Sequence, residues 1–269
     1  KKKKEKSQLR VISLGGLSEI GKNITVIEYE NDIIIVDCGL GFPDDDMLGI
    51  DLVIPDVTYL EENAHKIRGL VLTHGHEDHI GAIPYVLKEF NVPVFGTKLT
   101  LGILKNKLSE HGILNSTKLN VIHPGATFPL GDVKIEFIRS NHSIADAVAV
   151  AFHTPAGVIL HTGDFKIDST PIDGEMIDLG RIGELGRQGV LLLMSDSTNA
   201  ERKGYTMSER TVGTTFDSVF DNCTKRIFIA TFASNIHRVQ QIINAAVKHG
   251  RKVAVSGRSM ENVLTAAIE

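Results

Sequence analysis

The chain has 269 residues, of which 42% are hydrophobic and 23% are charged. This length and composition predict an ordinary globular protein with one large domain, or with one domain and part of a second. The formal net charge of −4 gives no separate support for a nucleic-acid partner, because dedicated nucleic-acid binders usually carry a basic excess.

Residues 1–8 form a basic N-terminal segment, in which five of the first six residues are lysine. Such a block could contact phosphates, but a solvated, disordered tail is the favoured interpretation. No apolar stretch reaches the ~18 residues of a membrane span, and no hydrophobic segment of a secretory signal follows the lysines. Cys38 and Cys223 form no paired motif. A reducing, cytoplasmic location without membrane association is therefore expected.

Apolar runs and turn residues predict a β-rich first part of the chain. Residues 24–28 and 33–36 flank a short polar turn, as in a β-hairpin. Further strands are predicted at 70–72, 133–138, 148–152 and 158–161. Helices are predicted at 82–90, where Pro84 lies in the first turn, and at 97–111, which Gly112 closes.

From about residue 189, predicted strands and helices alternate. The strands are at 190–194, 226–231 and 252–255, and the helices are at 208–220, 236–248 and 259–268. Such alternation is typical of βαβ units with a parallel sheet. We therefore expect a β-rich first domain over residues 9–204 and the start of a second, α/β domain over residues 205–269.

The segment Thr73-His74-Gly75-His76-Glu77-Asp78-His79 spells HxHxDH and follows an apolar strand. Imidazole nitrogens and carboxylate oxygens are ligands of zinc, manganese and similar divalent ions. In an extended stretch His74 and His76 point to the same side, and the turn through Asp78 and His79 can offer two more ligands. A chance surface cluster of histidines is the alternative, and this spacing disfavours it strongly.

Three further polar residues follow predicted strands. His142 comes after strand 133–138, Asp164 after strand 158–161, and Asp37 after strand 33–36. A residue at a strand end is more often a cap or turn residue than a ligand. Here His142 and Asp164 fall where one more imidazole and a bridging carboxylate are needed. Asp37 could orient a ligating imidazole from behind, although turn capping is almost equally favoured for it.

This order of motifs is that of the metallo-β-lactamase superfamily, and the chain resembles one branch of it, bacterial ribonuclease J of the β-CASP group. The resemblance runs from about residue 9 to residue 269. It is carried by residues 14–23, 42–51, 161–166, 195–199 and 230–238. It implies an α/β fold: a metallo-β-lactamase αββα sandwich with the beginning of an inserted α/β β-CASP domain.

The resemblance implies a centre with two divalent metal ions. One ion would take His74, His76 and His142, and the other would take Asp78 and His79, with Asp164 bridging the two. Zinc is the expected ion, with manganese or magnesium as possible ions in action. Two such cations can activate a water and stabilise the attacking and leaving oxygens of a phosphoryl displacement.

The resemblance also implies roles for residues outside this cluster. Asp78 and Asp196 are the implied catalytic residues, and Asp196, in Ser195-Asp196-Ser197, would work with a histidine to help protonate the leaving 3′-oxygen; a structural turn is the alternative for Asp196. Ala233, Ser234 and Asn235 would line a pocket for the 5′-phosphate of RNA, although plain N-capping of the next helix explains them at least as well from sequence alone. Leu48 and Ile50 would offer backbone carbonyls to a structural calcium.

The implied activity is hydrolysis of RNA phosphodiesters in RNA maturation and decay. It would combine a 5′→3′ exonuclease that prefers 5′-monophosphate ends with endonuclease activity. RNA is the expected partner, together with further copies in a homo-oligomer or a paralogous subunit in a hetero-oligomer, and RNA-degradosome components. The family's remaining catalytic histidines lie beyond the position of Glu269, so this part alone is expected to turn over poorly.

Two other functions stay open at this point. A thioesterase or lactonase of the same fold would use the same metal pair on small acyl substrates, and fold alone does not decide between them. The α/β segment from Tyr205 onward argues against this, because small-molecule hydrolases of the superfamily generally lack it. A non-catalytic scaffold subunit of an RNA-decay complex is the other alternative, and the intact ligand positions argue against it.

Overall fold

The computed structural model describes residues 8–268. The predicted basic tail at residues 1–8 therefore lies outside the described residues except for Gln8, and Glu269 also lies outside them. None of the helices in the described part is long and apolar enough to cross a membrane.

The first sheet has six strands in the order β1-β2-β3-β4-β5-β6. Their bounds are β1 Leu9–Gly15, β2 Ile24–Tyr29, β3 Asp32–Val36, β4 Ile67–Val71, β5 Val94–Gly96 and β6 Leu119–Val121. The first three strands are antiparallel, and β2 and β3 form the predicted hairpin, with Tyr29 opposite Asp32. From β3 to β6 the strands are parallel. The carboxyl ends of β3 and β4 therefore lie side by side.

The second sheet has five strands in the order β11-β10-β9-β8-β7. Their bounds are β7 Thr127–Leu130, β8 Val133–Arg139, β9 Val148–Thr154, β10 Gly157–His161 and β11 Leu192–Met194. All neighbours are antiparallel except β10 and β11, which are parallel. The ends of β10 and β11 therefore also lie together.

Eight α-helices connect or follow the strands in the described residues. They are α1 Thr58–Glu62, α2 Glu77–Ile80, α3 Ile83–Glu89, α4 Lys98–Glu110, α5 Leu179–Gln188, α6 Arg210–Asn222, α7 Ile236–Lys248 and α8 Arg258–Ile268. Short 3-10 helices lie at Ala64–Lys66 and Leu114–Ser116.

The buried side chains of β3 explain how the layers stack. Because side chains alternate along a strand, Ile33 and Ile35 pack into a cluster with α3 and α4, whereas Ile34 and Val36 pack against Phe137 and other residues of the second sheet. On the far side of the second sheet, α5 packs through Leu185. The layers are thus helix, sheet, sheet and helix. The predicted αββα sandwich is confirmed.

The predicted strands and helices of the first part are present, with ends shifted by a few residues. In the last part, helix 236–248 is found at its predicted bounds, and the two flanking helices are also present. The strands predicted at 226–231 and 252–255 are wrong for the described residues, where both segments lack strand structure. A ladder needs a paired neighbour, and these segments leave apolar side chains open, as at Phe228, which is 87% exposed. The domain boundary at 204/205 stays a prediction.

Candidate metal centre

The candidate ligands lie at one edge of the sandwich because each follows the end of a strand. The HxHxDH segment leaves β4 and enters the short helix α2, while Asp37 follows the neighbouring strand β3. From the second sheet, His142 follows β8 and Asp164 follows β10. The fold thereby brings together residues that are more than 120 positions apart in the sequence.

Three imidazoles form the first group. His76 Nδ1 lies 3.0 Å from His74 Nε2 and 3.1 Å from His142 Nε2. The three rings are not stacked, since their planes meet at 72–83° and their centroids are 4.7–4.8 Å apart. Nitrogens that converge from three directions on one region are the donor set that a tetrahedral zinc site uses.

The second group contains imidazole and carboxylate ligands. Single ligand atoms of His74, His79 and Asp164 all lie within 4.8 Å of one another. His79 Nε2 is 3.4 Å from Asp164 Oδ1 and 3.7 Å from Asp78 Oδ2. The other oxygen of Asp164 lies 3.6 Å from His142 Nε2, in the first group. Asp164 therefore stands between the two groups, where a bridging ligand is required, and His74 lies close to both.

Asp37 holds the histidines from behind. Its Oδ1 accepts a hydrogen bond from the backbone N–H of Thr73 (2.8 Å), and its Oδ2 accepts one from the Thr73 hydroxyl (2.7 Å). The same Oδ2 lies 2.8 Å from His79 Nδ1. Asp37 is 1% exposed and has a φ of 58°, a left-handed conformation that aspartate tolerates better than most residues. This contact leaves Nε2 of His79 facing Asp164 and Asp78.

Glycine permits the close packing of the loops around the centre. A Cβ on Gly39 would lie 1.5 Å from the carbonyl oxygen of Asp78, and one on Gly163 would lie 2.9 Å from Cβ of Thr73. Gly163 also has a φ of 56°, which favours glycine. The loops after β3, β4 and β10 can approach one another only because these positions carry no side chain.

The surroundings separate the charge states of the histidines. Burial and the neighbouring histidines lower the pKa of His74 well below its ordinary value and lower that of His76 to about 3. Burial also lowers the pKa of His142. Burial opposes protonation of His79 as well, but Asp37 and Asp164 outweigh it and raise its pKa well above the ordinary range. The first three rings are therefore neutral, as ligation requires.

The two carboxylates are also shifted, in opposite directions. Burial favours the neutral form of both groups, and it raises the pKa of Asp78. In Asp164 the hydrogen bond and charge of His79, with the nearby His142 and His76, outweigh burial and lower the pKa. Asp164 is therefore ionised and matches the charge that a divalent cation needs.

A cavity of about 540 Å³ opens beside the second group. Asp78, His79 and Asp164 line it, together with Asp196 from the end of β11. Asp196 is also a turn residue, because its Oδ1 accepts hydrogen bonds from the backbone N–H and hydroxyl of Thr198 at 2.9 and 2.8 Å. Asp196 can therefore stabilise this turn and still lie close to the candidate metal ligands.

The remaining predicted site residues lie elsewhere. Asn235 is the N-cap of α7, and its Oδ1 accepts a hydrogen bond from the backbone N–H of Arg238 at 3.1 Å. Neither it nor Ala233 or Ser234 is among the residues that line the cavity. Leu48 and Ile50 lie in a loop and are 89% and 51% exposed. The phosphate site at residues 233–235 and the calcium site at Leu48 and Ile50 stay predictions.

Sequence reasoning missed two residues that support the centre. Asn23 donates hydrogen bonds from Nδ2 to the carbonyl oxygen of Asp78 (3.0 Å) and lies 3.2 Å from His79 Nε2. Thr73 connects Asp37 to His74 through its hydroxyl. Thr73 directly precedes the histidine motif and could have been suspected, whereas nothing in the local sequence around Asn23 indicates this long-range contact.

Comparison with known proteins supports the same grouping. The family model of the metallo-beta-lactamase superfamily matches residues 18–175, and that of the ribonuclease J beta-CASP domain matches residues 224–269. Ribonuclease J of Synechocystis is 53% identical over 261 residues, which are 96% of this chain and 41% of that protein. Ribonuclease J2 of Bacillus subtilis is 48% identical over 266 residues, which are 99% of this chain and 48% of that protein.

The chain thus spans about half the length, or less, of these curated relatives. Among solved structures, a protein of unknown function from Enterococcus faecalis superposes with a TM-score of 0.67. That match covers 93% of this chain and 71% of the other, at 19% identity, and so bears on the fold alone. With the match over residues 18–175, the chain belongs to the metallo-β-lactamase superfamily, and its ribonuclease J homologues extend along nearly its whole length.

Proposed function

We propose that the protein carrying this chain is a metal-dependent ribonuclease that hydrolyses RNA phosphodiesters. The observation that supports this most is the pair of adjacent ligand groups, with His74 close to both and Asp164 between them. Such an arrangement suits two cations that share a carboxylate. The names of the curated relatives supply the substrate class.

His74, His76 and His142 would hold one ion, and Asp78 and His79 the other, with Asp164 as the shared ligand. Two bound divalent cations would polarise the phosphate and activate a water for its hydrolysis. The imidazole-rich first group suits zinc, and the carboxylates of the second also suit manganese or magnesium. In the loop at 44–51, the backbone carbonyls of Leu48 and Ile50 are candidates for a structural calcium.

The other residues of the site would orient ligands and move protons. Asp37 would keep the proton of His79 on Nδ1, so that Nε2 is free to ligate. Asp196 lines the cavity together with Asp78 and Asp164, and we assign to it the transfer of the proton that the attacking water releases to the leaving 3′-oxygen. Its backbone N–H donates to the Thr162 hydroxyl at 3.0 Å, which ties β11 to the loop that carries Asp164.

The first test is cleavage of end-labelled RNA by the complete protein that carries these residues, with Mn²⁺ or Zn²⁺ and after removal of metal by a chelator. Metal-dependent cleavage that His76→Ala abolishes would support the proposal. His65→Ala is the matched control, because His65 is exposed and lies outside the cluster. No cleavage by folded, metal-loaded protein would refute the proposal. Hydrolysis of a thioester or lactone by that protein would favour the small-acyl hydrolase instead.

The finer proposal is a 5′→3′ exonuclease that prefers 5′-monophosphate ends and also has endonuclease activity. Ala233, Ser234 and Asn235 precede the first turn of the 13-residue helix α7, where free backbone N–H groups favour an anion. In Asn235→Asp the new side chain still caps the helix but repels phosphate. We expect this variant to lose its preference for 5′-monophosphate over 5′-triphosphate RNA and to keep its fold.

Asp178→Asn is the matched control for that experiment. Asp178 caps α5 by accepting a hydrogen bond from Arg181 N at 2.8 Å, so the same two residues are exchanged at another helix start. An unchanged preference in Asn235→Asp would refute the assignment of the phosphate pocket and leave the ribonuclease proposal intact.

The partners and location follow from the same relationship and are part of the proposal. We expect a cytoplasmic protein that forms a homo-oligomer, or a hetero-oligomer with a paralogous subunit, and that associates with RNA-degradosome components. Light scattering of the complete protein would measure its oligomeric state. A monomer at all concentrations would refute the homo-oligomer.

A further inference from the structure

His161 is a histidine of the site that the proposed metal ligands do not include. It is the last residue of β10 and pairs with Met194, the last residue of the parallel strand β11. It lines the same cavity as Asp78, Asp164 and Asp196. Its ring is therefore next to the place where a substrate of this centre would bind.

The hydrogen bonds of His161 fix the position of its proton. The backbone N–H of Gly163 donates to His161 Nδ1 at 3.1 Å. A nitrogen that accepts a hydrogen bond carries no proton, so in the neutral ring the proton is on Nε2. Burial lowers the pKa of His161, which keeps the ring neutral. His161 therefore offers a neutral N–H donor at Nε2.

The Nε2–H donor is unused within the described part of the protein. Within residues 8–268 no hydrogen bond or ion pair involves this atom, and the buried side-chain polar atoms that lack a partner are Ser140 Oγ and His249 Nε2 only. His161 Nε2 is therefore accessible to solvent, and the cavity is where the residue meets it. The Nε2–H group of His161 therefore has no acceptor among the described residues.

We infer that His161 binds the RNA strand in this cavity by donating a hydrogen bond from Nε2 to a non-bridging phosphate oxygen. This inference rests on the proposed function. Four carboxyl residues line the cavity: Asp78 and Asp164, which would ligate the cations, and Glu19 and Asp196, whose carboxylates repel a phosphodiester. A fixed neutral donor offsets part of this repulsion and selects the position of the phosphate, and a hydrogen bond to an anionic oxygen is stronger than one to a neutral group.

Two variants of the complete protein separate this role from a structural one. His161→Asn places an oxygen where Nδ1 was, so it can still accept from Gly163, but it has no donor at the position of Nε2. His161→Gln places an amide donor near the position of Nε2 and gives up the acceptor for Gly163. Both are assayed for metal content, thermal unfolding and kcat/KM on a 5′-monophosphate RNA.

We expect kcat/KM to fall about 10- to 100-fold in His161→Asn and to recover at least partly in His161→Gln. Metal content should stay at the wild-type level in both. The reverse order, with His161→Asn near wild type and His161→Gln impaired, would show that only the contact to Gly163 matters and would overturn the inference. Equal activity in all three proteins would overturn it too.

Binding of an uncleaved RNA distinguishes the two levels of the proposal. With a phosphorothioate RNA in the presence of Ca²⁺, His161→Asn should bind about 10-fold more weakly than wild type. If wild-type protein cleaves RNA but the variants bind it equally, the role of His161 is wrong and the ribonuclease proposal stands. If wild-type protein neither binds nor cleaves RNA, the proposed function itself fails.

Discussion

Replacing Asp37 by asparagine tests whether this buried carboxylate prepares His79 for metal binding. Asparagine has the same shape and also tolerates the φ of 58°, so the change removes the charge without adding backbone strain. Its carbonyl can still accept from Thr73 N, as Oδ1 of Asp37 does at 2.8 Å. The amide NH₂ then replaces the oxygen that lies 2.8 Å from His79 Nδ1.

An NH₂ group at this place requires Nδ1 of His79 to accept a hydrogen bond. The proton of the ring then moves to Nε2, the atom that lies 3.4 Å from Asp164 and would bind the metal. Loss of such an orienting partner typically weakens metal binding about 10- to 100-fold, which is about 1.4–2.8 kcal/mol. The affected group should be that of His79 and Asp164, rather than that of the three imidazoles.

The assay is a competition titration of metal-free protein with Zn²⁺ against a fluorescent chelator, with a thermal melt to show that the variant is folded. Asp132→Asn is the matched control, since it makes the same chemical change at an exposed position in the turn between β7 and β8 and should leave affinity unchanged. A folded Asp37→Asn protein with wild-type affinity for both ions would refute the role assigned to Asp37.

Two further predictions concern the fold around the site. Glu136 is 7% exposed and bonded to Arg181, whose hydrogen bond, against the effect of burial, lowers the pKa of Glu136 below its ordinary value of 4.5. Glu136→Gln should therefore lower the free energy of unfolding, measured by urea titration at neutral pH, by about 1–2 kcal/mol. The difference should vanish as the pH falls below 4.5 through the folded-state pKa of Glu136. A loss of stability that is independent of pH would contradict this prediction. Gly39→Ala should lower the free energy of unfolding by about 3 kcal/mol or more, because its Cβ would collide with the Asp78 carbonyl. Gly183→Ala, at an open position of α5, should instead raise it by about 0.5–1 kcal/mol. Equal effects of the two changes in urea unfolding would refute this packing.

The sequence predicts those elements whose signal is local. The run at 33–36 is apolar throughout, and β3 is buried on both faces, as such a run implies. Helix α5 has no such signal, because Gly180, Gly183 and Gly186 lower its helical propensity. It forms because Asp178 caps it and Leu185 packs against the second sheet.

The candidate site divides in the same way. The spacing of His74, His76 and His79 is readable within one short segment. The contacts of Asn23 with Asp78 join residues 55 positions apart, and only the packed sheet brings them together. Likewise, the apolar run at 226–231 has the composition of a strand, but strand structure also needs a paired neighbour, which the described residues do not provide.

If the clustered histidines and aspartates form a two-metal centre for RNA hydrolysis, cleavage must depend on the metal that they bind. The most direct test is to titrate Mn²⁺ into the metal-free complete protein while following cleavage of a 5′-monophosphate RNA. We predict that cleavage appears as two equivalents bind, and that His76→Ala shows neither full binding nor cleavage. Cleavage without metal, or two bound ions without any RNA cleavage, would contradict a two-metal centre for RNA hydrolysis.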